Sequence, residues 1–129
     1  KTGLLDDAWS AAAPHMNLHD PGGLAWFTGL MTGGSNLVSN VPMVLLTGPY
    51  LGQLGSAELG WVLVGFITTI AGNLTILGSV ANIIVAEGAK EHYSLGFFEY
   101  LRFGFVSTVL CLAAGVPLVC LMARPGALA

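Results

Sequence analysis

Charge is what this chain lacks. Of its 129 residues, 9% are Asp, Glu, Lys or Arg, against about 25% in an average soluble domain. Apolar types make up 54%, and the mean hydropathy is +0.76. A soluble domain of 13.3 kDa has a large surface for its volume and cannot cover it with so few charges. A water-soluble globular fold is therefore excluded, and with it most soluble enzymes. Four Lys and Arg are too few for a nucleic-acid surface, which needs several phosphate contacts. The two cysteines, Cys111 and Cys120, fall in one apolar run. On a helix that spacing turns them by about 900°, onto opposite faces, so they do not pair with each other and read as small packing residues. No Gly-x4-Gly-Lys phosphate loop and no grouped Ser-His-Asp set occurs. His15 and His19 are spaced as helical metal ligands are, but Pro14, Asp20 and Pro21 place them in a loop with no third ligand in view. The chain begins at Lys1, not Met, without a basic stretch leading into an apolar run. That is not a signal peptide, and it points to a processed chain or a piece of a longer one.

Glycine, by contrast, is abundant. The 18 glycines are about 14% of the chain, roughly twice the usual share, as close helix packing and broken segments in membranes require. The charges stand at 1, 6, 7, 20, 58, 87, 90, 91, 99, 102 and 124, which leaves 21–57, 59–86 and 103–123 uncharged. A run of about 20 apolar residues crosses a bilayer. Three such windows predict an all-α integral membrane protein, with the lipid bilayer as its first partner.

The windows differ in kind. Residues 97–123 form one apolar segment, predicted as a transmembrane helix, with Pro117 as a point of kinking and Arg124 and Pro125 as its end. Phe97, Phe98 and Tyr100 form an aromatic edge, where Glu99 and Arg102 are spaced to pair. The window 22–54 carries Gly33-Gly34-Ser35-Asn36 and Ser39-Asn40-Val41-Pro42, a poor helix interior. Split at Asn40, its arms Leu24–Val38 and Val41–Gln53 are each about 20 Å long, too short for roughly 30 Å of hydrocarbon. Two short arms with a polar tip predict a re-entrant helical hairpin, tolerated where protein or a water-filled cavity surrounds it. The window 59–86 is apolar at both ends and interrupted by Ala71-Gly72-Asn73-Leu74-Thr75-Ile76-Leu77-Gly78-Ser79, with Asn82 beyond. Gly72-Asn73 suits a helix end and Ser79 a helix start, so a discontinuous transmembrane helix is expected. Residues 1–21 read as a mixed preceding segment ending in a loop, and 88–96 as a polar turn. Lys90 and Arg102 put 87–102 on the cytoplasmic side, so the hairpin enters from outside. Trp9, Trp26 and Trp61 read as interface anchors. Thr68 and Thr69 read as backbone-bonded residues, and Glu87 as a boundary charge.

Two interrupted elements bring four helix ends to mid-membrane. N-terminal ends near Val41 and Val80 offer N–H groups and positive dipole ends; C-terminal ends near Val38 and Ala71 offer carbonyls. Broken helices of this kind bind substrate and ions in secondary transporters. Ser39, Asn40, Gly72, Asn73, Thr75, Gly78, Ser79 and Asn82 are the candidate binding residues, with Ser35 and Asn36 as weaker ones a turn before the tip. The alternative for all of them is packing by small residues with Asn as interhelical glue, in a membrane module that transports nothing.

The pair of segments Gly33-Gly-Ser-Asn-Leu-Val-Ser-Asn-Val-Pro-Met-Val-Leu-Leu46 and Ala71-Gly-Asn-Leu-Thr-Ile-Leu-Gly-Ser-Val-Ala-Asn-Ile-Ile-Val85, with the opening Lys1-Thr-Gly-Leu-Leu5, resembles the C-terminal repeat of the ion transporter superfamily. Within it the arsenite permease and silicic acid efflux branch is most similar; NhaD-type antiporters and divalent-anion symporters are more distant. The resemblance implies two inverted repeats, each with a hairpin and a broken helix, moving as an elevator-type transport domain. This chain would be the second, the C-terminal half of a protein about three times as long. Ser39-Asn40 stand at the family's hairpin-tip pair. Ser79 and Asn82 stand where the symporters carry Thr and Asn. Val41-Pro42 replaces the Thr that follows the tip in the symporters, and Ser39 the Asp of the antiporters. The implied function is a permease in the plasma (inner) membrane for a small oxyanion or neutral metalloid hydroxide such as arsenite or silicic acid. Sodium-coupled uptake of an organic anion and sodium–proton exchange are the rivals. No enzyme activity and no resident cofactor are implied, only a coupling Na+ or H+. The implied partners are the missing first repeat of the same protein and a second copy in a homodimer.

Overall fold

The computed structural model describes residues 3–94 and 96–123. Lys1, Thr2, Leu95, Arg124 and Pro125 lie outside the described residues, and with them part of the opening segment and the expected stop of the last helix. The described residues are helical throughout, without a strand. The helices are α1 (Leu4–Ala12), α2 (Pro21–Val38), α3 (Asn40–Thr47), α4 (Ala57–Ala71), α5 (Val80–Ala89) and α6 (Phe97–Met122). Short 3-10 turns follow α1 (Ala13–His15) and α3 (Gly48–Leu54) and precede α5 (Ile76–Gly78).

Local chemistry sets most boundaries. Asp20 accepts from the Gly23 N–H at 3.0 Å and Pro21 opens the helix, which starts α2 where a missing N–H costs nothing. Ser56 does the same for α4 through the Leu59 N–H. Between α2 and α3 the chain breaks at Ser39, the one non-glycine with positive φ (74°) among the described residues. Pro42 supplies the reason. In a continuous helix its ring would press on the Val38 carbonyl, and it has no N–H to bond there. With the break at Ser39, Pro42 sits in the first turn of α3, and Met43 N–H makes that helix's first bond, to Ser39 O at 3.2 Å. The α-helix of the second arm is shorter than the expected Val41–Gln53: α3 ends at Thr47, where Gly48-Pro49 passes the chain into the 3-10 segment Gly48–Leu54.

α4 is the central element, packed by α2, α3 and α6. Leu63, Val64 and Ile67 of α4 meet Phe27 and Met31 of α2, Met43 of α3, and Leu112 and Val116 of α6 in one core. α6 turns a single stripe inward, Gly104, Thr108, Leu112 and Val116, one residue per turn. Its other faces stay bare: only 11% of its most apolar 18-residue window is buried, at a mean hydropathy of 2.3. A soluble protein's core helix would be mostly covered. A bare apolar helix of 26 residues, about 39 Å long, is what a lipid-facing span looks like. The helix runs on through Pro117.

Several local expectations are corrected. Within the mixed opening segment residues 4–12 form a helix beyond those expected: Leu5, Trp9 and Ala12 recur at helical spacing and Asp6 and Asp7 favour the first turn. Trp9 is not an interface anchor: it is buried, stacked on Tyr50 with ring centroids 5.1 Å apart. Glu99 does not pair with Arg102; it accepts from the Tyr93 hydroxyl at 2.7 Å. Gly72 closes α4 without a left-handed turn, at φ -57°. Ser79 occupies the cap position of α5, but its side chain makes no cap bond.

Candidate functional site

The two interruptions lie side by side, and Asn36 joins them. This residue, three before the hairpin tip, donates through Nδ2 to Thr32 O at 3.0 Å on its own helix and to Ala71 O at 2.9 Å, the last residue of α4. Its Oδ1 accepts from Thr75 Oγ1 at 2.9 Å, and Thr75 Oγ1 in turn accepts from the Gly78 N–H at 2.9 Å. One side chain thus ties the end of α2, the end of α4 and the loop between α4 and α5. Gly78 makes the approach feasible, since a Cβ there would stand 2.6 Å from Asn36 Oδ1 and 3.0 Å from Gly72 O. From the other side Asn82, in the first turn of α5, donates to Gly72 O at 2.8 Å and Thr75 O at 3.4 Å. Ser35, fully buried, donates to Thr68 O at 3.4 Å.

Ser35, Asn36, Gly72, Thr75, Gly78 and Asn82 are therefore joined by hydrogen bonds or contact around the ends of α2, α4 and α5. Asn36, ranked low from its position before the tip, is the member with the most bonds. The sequence signal that could have raised it is the Asn in both segments, since an amide is the side chain able to donate and accept across two broken helices at once.

The other four candidates keep capacity in hand. Ser39 Oγ lies 3.4 Å from Asn40 Oδ1, which also accepts from the Val41 N–H at 2.9 Å. The Asn40 Nδ2, the Asn73 side chain and the Ser79 hydroxyl have no partner among the described residues. Asn40 also borders a hollow of about 230 Å³ between α3 and α4, lined by Val41, Val44, Leu45, Gly65, Thr68 and Thr69. Thr68 and Thr69 are backbone-bonded as expected, to Val64 O and Gly65 O, each at 2.7 Å. The first residues of α5, Val80 and Ala81, present N–H groups with no acceptor among the described residues. No group of three His, Cys, Asp or Glu side chains is placed to hold a metal among the described residues.

The tip backbone yields a direct test of what Ser39 contributes. At φ 74° and ψ 161° it occupies a region that is essentially glycine's, at a cost of about 1–3 kcal/mol. Ser39→Gly should raise thermal stability by about 1 kcal/mol while deleting the hydroxyl. A lowered melting midpoint would show that the hydroxyl, rather than the backbone, holds the tip.

One contact was not legible in sequence. α6 lies directly on the interruption after α4: a Cβ at Gly104 would stand 2.5 Å from Asn73 O and 2.6 Å from Leu74 O. Tyr100, one turn earlier, lines a hollow together with Asn73.

Known proteins place this arrangement. The "Putative transporter arsB" of Dictyostelium discoideum is 47% identical over 89 residues, 69% of this chain and 16% of that protein. The "Silicon efflux transporter LSI3" of Oryza sativa subsp. japonica is 36% identical over 129 residues, 92% of this chain and 27% of that protein. A "46 kDa membrane protein" of Mycobacterium leprae is 29% identical over 97 residues. The chain spans between 16% and 27% of the length of these curated relatives. No protein-family model matches it, and neither does a solved structure. With paired interrupted helices, a bare apolar span and these relatives, the chain belongs to the ion transporter superfamily and is an integral membrane protein.

Proposed function

We propose that this chain is the C-terminal half of a secondary transporter, a permease for a small inorganic oxyanion or a neutral metalloid hydroxide such as arsenite or silicic acid. In this proposal α2 and α3 form a re-entrant hairpin, α4 and α5 one discontinuous transmembrane helix, and the missing first repeat completes the site. The observation that carries it is the juxtaposition made by Asn36. Two interruptions, distant in sequence, are held together, and Ser39, Asn40, Asn73 and Ser79 keep hydrogen-bonding capacity beside them. Backbone irregularity of this kind is costly in a membrane unless it lines a cavity, and transporters use it to bind substrate at helix ends. The names of the arsB and silicon efflux relatives favour this substrate class.

The bonds through Asn36 make hairpin and broken helix one body, as an elevator movement requires: the two would cross together and present the site to each side in turn. The work is done by neutral donors, acceptors and helix ends, with Na+ or H+ as the coupling ion. The full-length protein in the plasma membrane, as a homodimer, completes the proposal.

The test is flux in vesicles holding the full-length protein. Asn40→Ala and Ser79→Ala should each lower arsenite or silicic acid flux by at least about ten-fold, with expression and melting midpoint unchanged. Normal flux in both variants would overturn the site. Flux that requires sodium and an organic anion would overturn the substrate class.

A further inference from the structure

A second hollow lies on the other side of the interruption, between the end of α4 and α6. It measures about 210 Å³ and is lined by Ile70, Asn73, Tyr100, Phe103, Ser107, Thr108 and Cys111. Thr108 marks it out. Four helical threonines return their hydroxyls to the carbonyl four residues back: Thr28 at 2.8 Å, Thr47 at 2.8 Å, Thr68 at 2.7 Å and Thr69 at 2.7 Å. That is how a hydroxyl is satisfied in an apolar surrounding. Thr32, away from this hollow, leaves its hydroxyl buried without a partner among the described residues. Thr108, in its wall, makes no such bond either. The carbonyl it would use, Gly104 O, accepts from Ser107 Oγ at 3.2 Å. The Thr108 hydroxyl is buried without a partner among the described residues, in a side chain only 2% exposed. Leaving it so is destabilising, unless something in the hollow bonds to it.

The lining defines what that is. No charged side chain lines the hollow, and the wall includes the C-terminal end of α4, where dipole and carbonyls are partially negative. Asn73 O and Leu74 O come up against Gly104 in the same region. An anion is repelled there, whereas a neutral molecule carrying several O–H groups can donate to carbonyls and both donate to and accept from Thr108, Tyr100 and Asn73. We propose that this hollow is a binding site for a small, uncharged, polyhydroxylated solute, separate from the hairpin tip and adjoining the interruption at Asn73. It rests on the transporter reading and adds a second site, one that selects the neutral hydroxide of that reading's two substrate classes.

Cys111 in the wall provides the probe. In the full-length protein with its other cysteines replaced by Ser, Cys111 should react with a small aqueous thiol reagent. Orthosilicic acid at about four times its Kd should slow the reaction about five-fold, since the free site falls as 1/(1 + L/Kd) with ligand concentration L, and phosphate should not. Thr108→Val should abolish the protection, and Thr108→Ser, which keeps the hydroxyl, should restore it. An unreactive Cys111, no protection by silicic acid (water alone in the hollow), equal protection by phosphate, or protection surviving in Thr108→Val would each overturn the proposal. Normal flux in Asn40→Ala and Ser79→Ala would instead sink the hairpin-tip site and leave this measurement standing.

Discussion

Asn36→Leu should unfasten the second interruption from the hairpin and lower the melting midpoint of the detergent-solubilised full-length protein. The substitution nearly conserves volume, so packing changes little, but the Thr75 hydroxyl loses its acceptor and Ala71 O keeps only the Leu74 N–H. Interhelical bonds in membranes average about 0.6 kcal/mol, and a polar group left unsatisfied costs about 1–3 kcal/mol. The expected loss is therefore about 1–3 kcal/mol. Asn36→Asp should be at least as harmful: it keeps an acceptor for Thr75 but turns a carboxylate oxygen toward the carbonyls of Thr32 and Ala71 that now receive N–H groups. A midpoint unchanged in both variants would show that the two interruptions are held together by something else.

Gly104→Ala should be among the most damaging single-methyl substitutions within the described residues, together with Gly23→Ala, whose added carbon would stand 2.5 Å from Asn17 N and O. The added carbon would meet Asn73 O at 2.5 Å, Leu74 O at 2.6 Å and Leu74 C at 3.2 Å. These are backbone atoms of a loop fixed on its far side by Asn36 and Asn82, so nothing can step aside except α6 itself. Overpacking of this kind costs about 1–3 kcal/mol, and the larger Gly104→Leu should leave no folded protein to recover. Two other glycines calibrate the claim. At Gly78 the nearest atom is the Asn36 side-chain oxygen at 2.6 Å, and at Gly115 it is the Phe66 ring at 2.3 Å. Both neighbours are side chains, and a ring that can turn yields most easily. The expected order of lost thermal stability is Gly104→Ala, then Gly78→Ala, then Gly115→Ala. A Gly104→Ala protein as stable as the parent would mean that α6 does not rest on the interruption.

Both predictions concern contacts between elements that the linear pattern does not join. Helix breaks at Ser39 and after Ala71 were visible in sequence because they are local: a Pro three residues on, and Gly and Asn within an apolar run. The apolar span 97–122 was visible for the same reason, since eighteen or more uncharged residues need no partner to declare themselves. α1 was missed because a short amphipathic helix needs tertiary support, which here comes from Trp9 stacking on Tyr50. Ser79 was credited with a cap that its sequence position allows and its side chain does not make.

By itself the sequence determined the solvent, the number and length of the apolar segments and the places where helices must stop. Each follows from composition or from backbone chemistry within a few residues. Only the tertiary structure decided which polar groups are spent and which are left over. Asn36, Thr75 and Asn82 bind the interruptions together, whereas Asn40, Asn73, Ser79 and the Thr108 hydroxyl lack side-chain partners among the described residues. All are neutral polar residues in apolar surroundings and look alike along the chain. A hydrogen bond is satisfied by whatever lies opposite, and what lies opposite Asn36 is thirty-five residues away.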